Sequence, residues 1–116
     1  HYPMVGALPL DFVFQKKPQG HGYTILETCD QNPYYSVGKI LRGHEFHYSR
    51  AVFTASKEPV HFAFKVKRGH GIDGEKDGIC RKNILGTYTH VHAAGESDWA
   101  KGLFKAALEY KKTAKP

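Results

Sequence analysis

Apolar and polar residues alternate with a period of two along most of the chain, and helical spacing takes over only near its end. "GYTILETCD" sets Tyr23, Ile25 and Glu27 against Thr24, Leu26 and Thr28, which predicts a strand. "KILRGHEFHYSR" predicts a second strand, with His44, Phe46 and Tyr48 on one face and Glu45, His47 and Ser49 on the other. "EPVHFAFKVKRG" carries the cleanest alternation, with Val60, Phe62, Phe64 and Val66 all on one face. "ICRKNILGTYTHVHA" reads as extended chain, "QNPYYSVG" as a turn, and "GHGIDGEKDG" as a loop because of its glycines. In "SDWAKGLFKAALEYKK" the residues Trp99, Leu103, Ala106, Ala107 and Tyr110 fall on one face of a helix. Ser97 suits its N-cap, Asp98 its positive end, and Lys111 and Lys112 its negative end. The expected architecture is α/β, with four or five strands followed by one helix. A single helix covers at most one face of a sheet, so the pattern predicts a piece of a larger α/β unit or a chain that needs a partner.

Composition narrows this picture. A chain of 116 residues suits one domain, and 41% hydrophobic with 24% charged residues is globular rather than disordered. No apolar run approaches the ~20 residues of a membrane span, so no membrane partner is expected. No charged-then-apolar signal segment opens the chain, and the expected location is cytoplasmic. Cys29 and Cys80 lack a CxxC context and read as small buried or half-buried thiols. The formal charge of +6, with eight histidines in reserve, favours anionic partners only weakly. "KVKR" and the Lys111–Lys112 pair are too short for a nucleic-acid arm.

Two motifs are decoys. "GHGIDG" (Gly69 to Gly74) fits G-x-G-x-x-G, but "EKDGICRKNI" after it is not helical, as a dinucleotide site requires. "DGEKDG" (Asp73 to Gly78) starts like a calcium loop, yet the position of the closing glutamate is Ile84. The histidines invite a metal. On strands, His90 would share a face with His92 and Glu45 with His47, whereas His44 and His47 point opposite ways. A closed zinc site needs four ligands, and this spacing demands none, so no metal is expected.

A longer pattern explains the histidines better. "YPMVGALP", "HGYTILE", "LRGHEFHYS" and "DGICRKNILGTYTHVHAAG" together resemble the C-terminal half of the glutamine amidotransferase domain of cobyrinic acid a,c-diamide synthases and their relatives. The resemblance runs nearly end to end. "GHEFHYS" combined with "TYTHVH" at this separation is the specific part.

The resemblance implies a fold, an activity and a site. The fold would be the C-terminal half of a class I glutamine amidotransferase-like, flavodoxin-like α/β domain. The activity would be hydrolysis of the glutamine side-chain amide by a cysteine nucleophile. Ammonia would then pass to a synthetase domain that uses ATP and Mg2+ to amidate carboxylates of a tetrapyrrole. The histidine of "TYTH" maps onto His90, the expected catalytic histidine. His92, Glu45, His47 and His44 are expected pocket or orienting residues. An imidazole beside a thiol raises its thiolate fraction and can protonate departing ammonia.

The chain departs from the pattern in three ways. The family's Cys-Gly-Gly-type elbow lies upstream of "YPMVG", so residues 1–116 are expected to be a partial domain without nucleophile, inactive alone. Neither Cys29 nor Cys80 has an elbow context. The wider class places a glutamate two residues after the histidine, where this chain has His92. The synthetase domain is absent as well, which makes the remaining N-terminal part of the polypeptide an expected partner. "THVHAAG" followed by "DWAKGLFKAAL" leans toward siroheme-amidating relatives. The rival class is a non-catalytic, basic, β-rich module that binds an anionic partner such as RNA, with Tyr34, Tyr35 and Tyr48 stacking bases.

Overall fold

A computed structural model of the chain describes residues 1–114. Seven strands precede one helix. They are β1 (Leu10–Phe14), β2 (Gly20–Thr28), β3 (Ile40–His47), β4 (Ser49–Phe53), β5 (His61–Arg68), β6 (Lys76–Arg81) and β7 (Ile84–Gly86), followed by α1 (Asp98–Thr113). A five-stranded sheet has the order β3-β2-β5-β6-β7, and β1 pairs with β4 in a separate two-stranded ribbon. The pairings in both sheets are antiparallel. The coarse expectation of a small α/β domain, mostly strands with a C-terminal helix, matches this architecture.

The expected strands are present, but three boundaries differ. The second expected strand is two, because the chain turns at Tyr48 and sends β4 back to pair with β1, Ser49 opposite Phe14. The expected extended run from Ile79 is a hairpin. Arg81 pairs with Ile84 across a turn at Lys82 and Asn83, and Lys82 takes a left-handed φ of 54°. Beyond Gly86 the strand ends, and only an isolated bridge at His90 remains. Lys76 to Gly78, expected in a loop because of glycine content, begin β6 instead.

The alternation in β2 and β5 explains the core. Thr24, Leu26 and Thr28 are buried in turn along β2. Leu26, Leu41, Ala63, Phe64 and Cys80 form the central cluster, with Tyr35, Val66 and Leu85 packed against it. Gly78, at φ 69°, lets β6 pass over Phe64; a Cβ there would overlap the ring.

Helix α1 docks differently from the amphipathic expectation. Its contact line is small: a Cβ on Gly102 would overlap the Tyr34 carbonyl, and Ala106 is half-buried. The large residues stay out. Trp99, Leu103 and Tyr110 of the expected apolar face are exposed, as are Phe104 and Leu108. Ser97 makes no capping side-chain bond; instead Glu96 Oε1 accepts the Asp98 N–H at 3.0 Å. Lys39 anchors this end by bonding Asp98 at 2.7 Å and Glu96 at 3.2 Å. Among the described residues, no helix is long and apolar enough to cross a membrane.

Candidate catalytic site

The segment Thr87–His90 is held from below by Asp77, which is fully buried. Its Oδ1 accepts the N–H groups of Gly78 at 2.8 Å and Tyr88 at 3.1 Å. Its Oδ2 accepts the Thr87 hydroxyl at 2.7 Å and the Thr89 N–H at 3.1 Å. Four donors on one carboxylate fix the backbone that leads to His90. Asp77 was not among the residues expected from sequence. Its signal was the Asp-Gly at the start of "DGICRKN", because a buried aspartate beside a left-handed glycine must spend its acceptors on backbone donors.

His90 then pairs with β3. His44 N–H donates to the His90 carbonyl at 3.1 Å, and His90 N–H donates to the His44 carbonyl at 2.7 Å. The His90 ring Nδ1 lies 3.0 Å from the same His44 carbonyl. A carbonyl only accepts, so Nδ1 carries the hydrogen and the neutral ring keeps its lone pair on Nε2. Nε2 has no hydrogen-bond partner among the described residues. The two imidazoles stack, with centroids 4.9 Å apart and planes 21° apart. Gly43 permits this approach, since a Cβ there would collide with the His90 carbonyl and the Thr89 methyl group.

The opposite face of β3 carries a second cluster. Glu45 is 2% exposed. Its Oε1 accepts the N–H groups of Gly71 at 2.8 Å and His70 at 3.3 Å, and its Oε2 lies 3.1 Å from His47 Nε2. His47 Nδ1 donates to the Ser49 carbonyl at 3.0 Å. The His47 ring stacks on Tyr88 at 3.7 Å and 11°. Tyr88 OH meets Ser49 Oγ at 3.0 Å, and burial, with smaller help from the Asp77 charge, pushes the phenol pKa up.

The five expected site residues therefore separate into three places. His44 joins His90, Glu45 joins His47, and His92 stands apart. The expected shared strand face of His90 and His92 does not form, because the chain turns at His92. His92 Nδ1 accepts the Ala94 N–H at 3.2 Å, and its carbonyl accepts the N–H groups of Gly95 and Glu96. Among the described residues no group of three or more His, Cys, Asp or Glu side chains is placed to hold a metal ion. "GHGIDG" turns from β5 into β6 without a helix, so it offers no helix N-terminus to a phosphate.

The cysteines lie elsewhere. Cys80 is buried in the core cluster, and burial pushes its thiol up to about 11. Cys29 is exposed rather than half-buried, with its sulfur 4.0 Å from the Phe62 carbonyl.

A family model described as the CobB/CobQ-like glutamine amidotransferase domain matches residues 1–98, ending at the first residue of α1. The chain belongs to the CobB/CobQ-like glutamine amidotransferase family. Among curated relatives, the cobyrinate a,c-diamide synthase of Archaeoglobus fulgidus is 39% identical over 110 residues, 95% of this chain and 23% of that protein. That of Magnetococcus marinus is 40% identical over 97 residues, 84% of this chain and 20% of its own length. That of Methanosphaera stadtmanae is 38% identical over 109 residues, 94% and 24% of the two chains. The chain thus spans about a quarter or less of the length of these relatives. No solved structure matches it. Membership of this amidotransferase family leaves the RNA-binding alternative without support. Tyr35 also packs edge-on to Phe64 beside the core cluster.

Proposed function

We propose that this chain supplies the catalytic histidine of the glutamine-hydrolysing half of an ATP-dependent tetrapyrrole amide ligase of the cobyrinate a,c-diamide synthase kind. The observation that carries the reading is the His90 tautomer. Nδ1–H is tied to the His44 carbonyl, which leaves Nε2 free to take a thiol proton and return it to departing ammonia. The wider class orients its histidine with a glutamate; here the His44 carbonyl does that work, and His92 is not needed for it.

The nucleophilic cysteine is assigned to another part of the polypeptide, upstream of this segment. Cys80 is buried with a raised thiol, and Cys29 makes no bond to an imidazole. Among the described residues no group of three or more His, Cys, Asp or Glu side chains is placed to hold Mg2+, and "GHGIDG" leads into a strand rather than a helix that could take the phosphates of ATP. Both are assigned to a synthetase domain, in the cytoplasm, and no step in this chain runs through them. In the longer polypeptide these antiparallel strands would lie beside the parallel strands of a flavodoxin-like sheet. Cobyrinate is the acceptor that the relatives' names carry. A siroheme-type acceptor is the second reading, favoured by "THVHAAG" and "DWAKGLFKAAL".

The test uses the full-length polypeptide. His90→Ala should lower glutamine-driven amidation by about 10²–10⁴-fold and leave ammonium-driven amidation intact, because ammonia bypasses thiol activation. His92→Ala should cost far less. Near-normal glutamine use by His90→Ala, or equal loss of both activities in a folded variant, overturns the assignment.

A further inference from the structure

We infer that Glu45 and His47 share a single proton and, through the stack of His47 on Tyr88, position the Tyr88–His90 segment for glutamine hydrolysis. This positioning role rests on His90 acting as proposed for glutamine hydrolysis. The hydrogen-bond acceptors around His47 require the shared proton. His47 Nδ1 faces the Ser49 carbonyl and so carries a hydrogen. Nε2 faces Glu45 Oε2 at 3.1 Å, and that contact is a hydrogen bond only if one proton lies between ring and carboxylate. Without it, two lone pairs oppose each other in a buried site, where an unmade hydrogen bond is costly. The space is closed, since a Cβ on Gly20 of β2 would run into both Glu45 Oε2 and His47 Nε2.

The ring cannot shift without moving its neighbour. Tyr88 lies flat against it, two residues before His90, and Ser49 binds both side chains. Other titratable groups face the pair. His70, after β5, has its ring 6.4 Å from His47. The Tyr88 phenol follows β7, and Asp77 of β6 holds the Tyr88 N–H. The part of β2 that backs the pair is Gly20, which carries no charge.

Glu45→Gln separates the shared proton from the shape. The glutamine amide accepts the same backbone N–H groups and donates to His47 Nε2 with no proton to share. In the full-length enzyme, glutamine-driven kcat should fall on the alkaline side as the pair loses its proton. Glu45→Gln should remove that alkaline limb and add an acid one, where a protonated His47 opposes the amide N–H. His47→Ala should lower kcat by about 10²-fold, as a misplaced catalytic group does, with ammonium-driven activity kept. His70→Asn serves as the control and should leave the alkaline limb in place. Nitrogen-15 histidine NMR should show His47 releasing its proton along the same limb, with the His90 signals moving in step. A Glu45→Gln profile identical to wild type, or His90 signals indifferent to His47 titration, overturns the inference. If the wild-type enzyme hydrolyses no glutamine, the assignment of His90 falls, and the NMR arm still decides the proton and its coupling.

Discussion

The carbonyl of His44 receives two hydrogen bonds from His90, one from the backbone N–H at 2.7 Å and one from ring Nδ1 at 3.0 Å. One acceptor thus fixes both the position of the residue and the tautomer of its ring. The arrangement needs no carboxylate, which fits the proposal that His90 works without the orienting glutamate of the wider class.

Gly43 is the residue that makes this approach feasible. A Cβ at position 43 would lie 2.6 Å from the Thr89 methyl carbon and collide with the His90 carbonyl. Gly43→Ala is therefore expected to push the Thr89–His90 segment off β3. Overpacking of this kind costs about 1–3 kcal/mol, so the protein should remain folded with a lower Tm. Glutamine-driven kcat should fall by about 10²-fold while ammonium-driven turnover persists. Parallel assays with the two nitrogen sources and a thermal melt check both parts.

Asp77 gives a second prediction. An asparagine there would place an NH2 where one carboxylate oxygen now accepts two donors. On either side a backbone N–H is left facing another donor. Asp77→Asn should destabilise the fold by about 2–3 kcal/mol, the scale for charged hydrogen bonds lost with a buried donor left unpaired. The amides of Tyr88 and Thr89 should lose hydrogen-exchange protection before those of β2 do. Urea titration and exchange mapping on the same variant measure the two effects.

Much of the sheet was legible because alternation with a period of two is a direct consequence of strand geometry. Thr24, Leu26 and Thr28 point inward as their spacing requires, and the split of His44 from Glu45 and His47 follows from the same rule. The hairpin at Lys82–Asn83 was hidden because its turn lacks the usual glycine and relies on Lys82 at positive φ. The end of the strand before His92 was hidden too, since "THVH" alternates in sequence while the chain is already committed to turning at His92. The docking face of α1 was misread because amphipathic spacing identifies an apolar stripe, not the line of closest backbone approach. Gly102 and Ala106 make that approach, and Leu103 and Phe104 stand clear of it. The assignment of His90 came from the motif "TYTH"; its orienting partner, a backbone carbonyl, carries no signature in sequence.

The cysteines should differ sharply in reactivity. Cys29 is exposed, while burial pushes the Cys80 thiol up to about 11, so almost none of it is thiolate near pH 8. A thiol reagent should label one cysteine per native chain, identified as Cys29 by peptide mapping, and reach Cys80 only on unfolding. The isolated 116-residue chain should also release no ammonia from glutamine above a denatured control. Rapid labelling of Cys80, or glutaminase activity lost on Cys29→Ser, would contradict the assignment of the nucleophile to another part of the polypeptide.

The last prediction concerns pH and the anchor of α1. The hydrogen bond from Lys39, reinforced by Lys101, holds the Asp98 carboxyl below its usual range, and the bonds to Asp98 and Glu96 raise Lys39. The two signs work in opposite directions. A depressed carboxylate stabilises the docked helix above its unfolded pKa, and that contribution fades as pH falls through the lowered value. A raised lysine stabilises below its unfolded pKa, and its contribution fades as pH rises through the raised value. The anchor should therefore be whole across the neutral range and weaken below about pH 4, where a free aspartate titrates. The contact line of α1 is Gly102 and Ala106 rather than a broad apolar face, so this end depends on its polar contacts, the Lys39 bonds and the Glu96 cap of the Asp98 N–H. Amide exchange in Asp98–Gly102 should speed up on acidification before exchange in the β2 and β5 core does. Lys39→Ala should shrink that acid step to the part that Lys101 still holds. An acid step of undiminished size in Lys39→Ala would place the titrating group elsewhere.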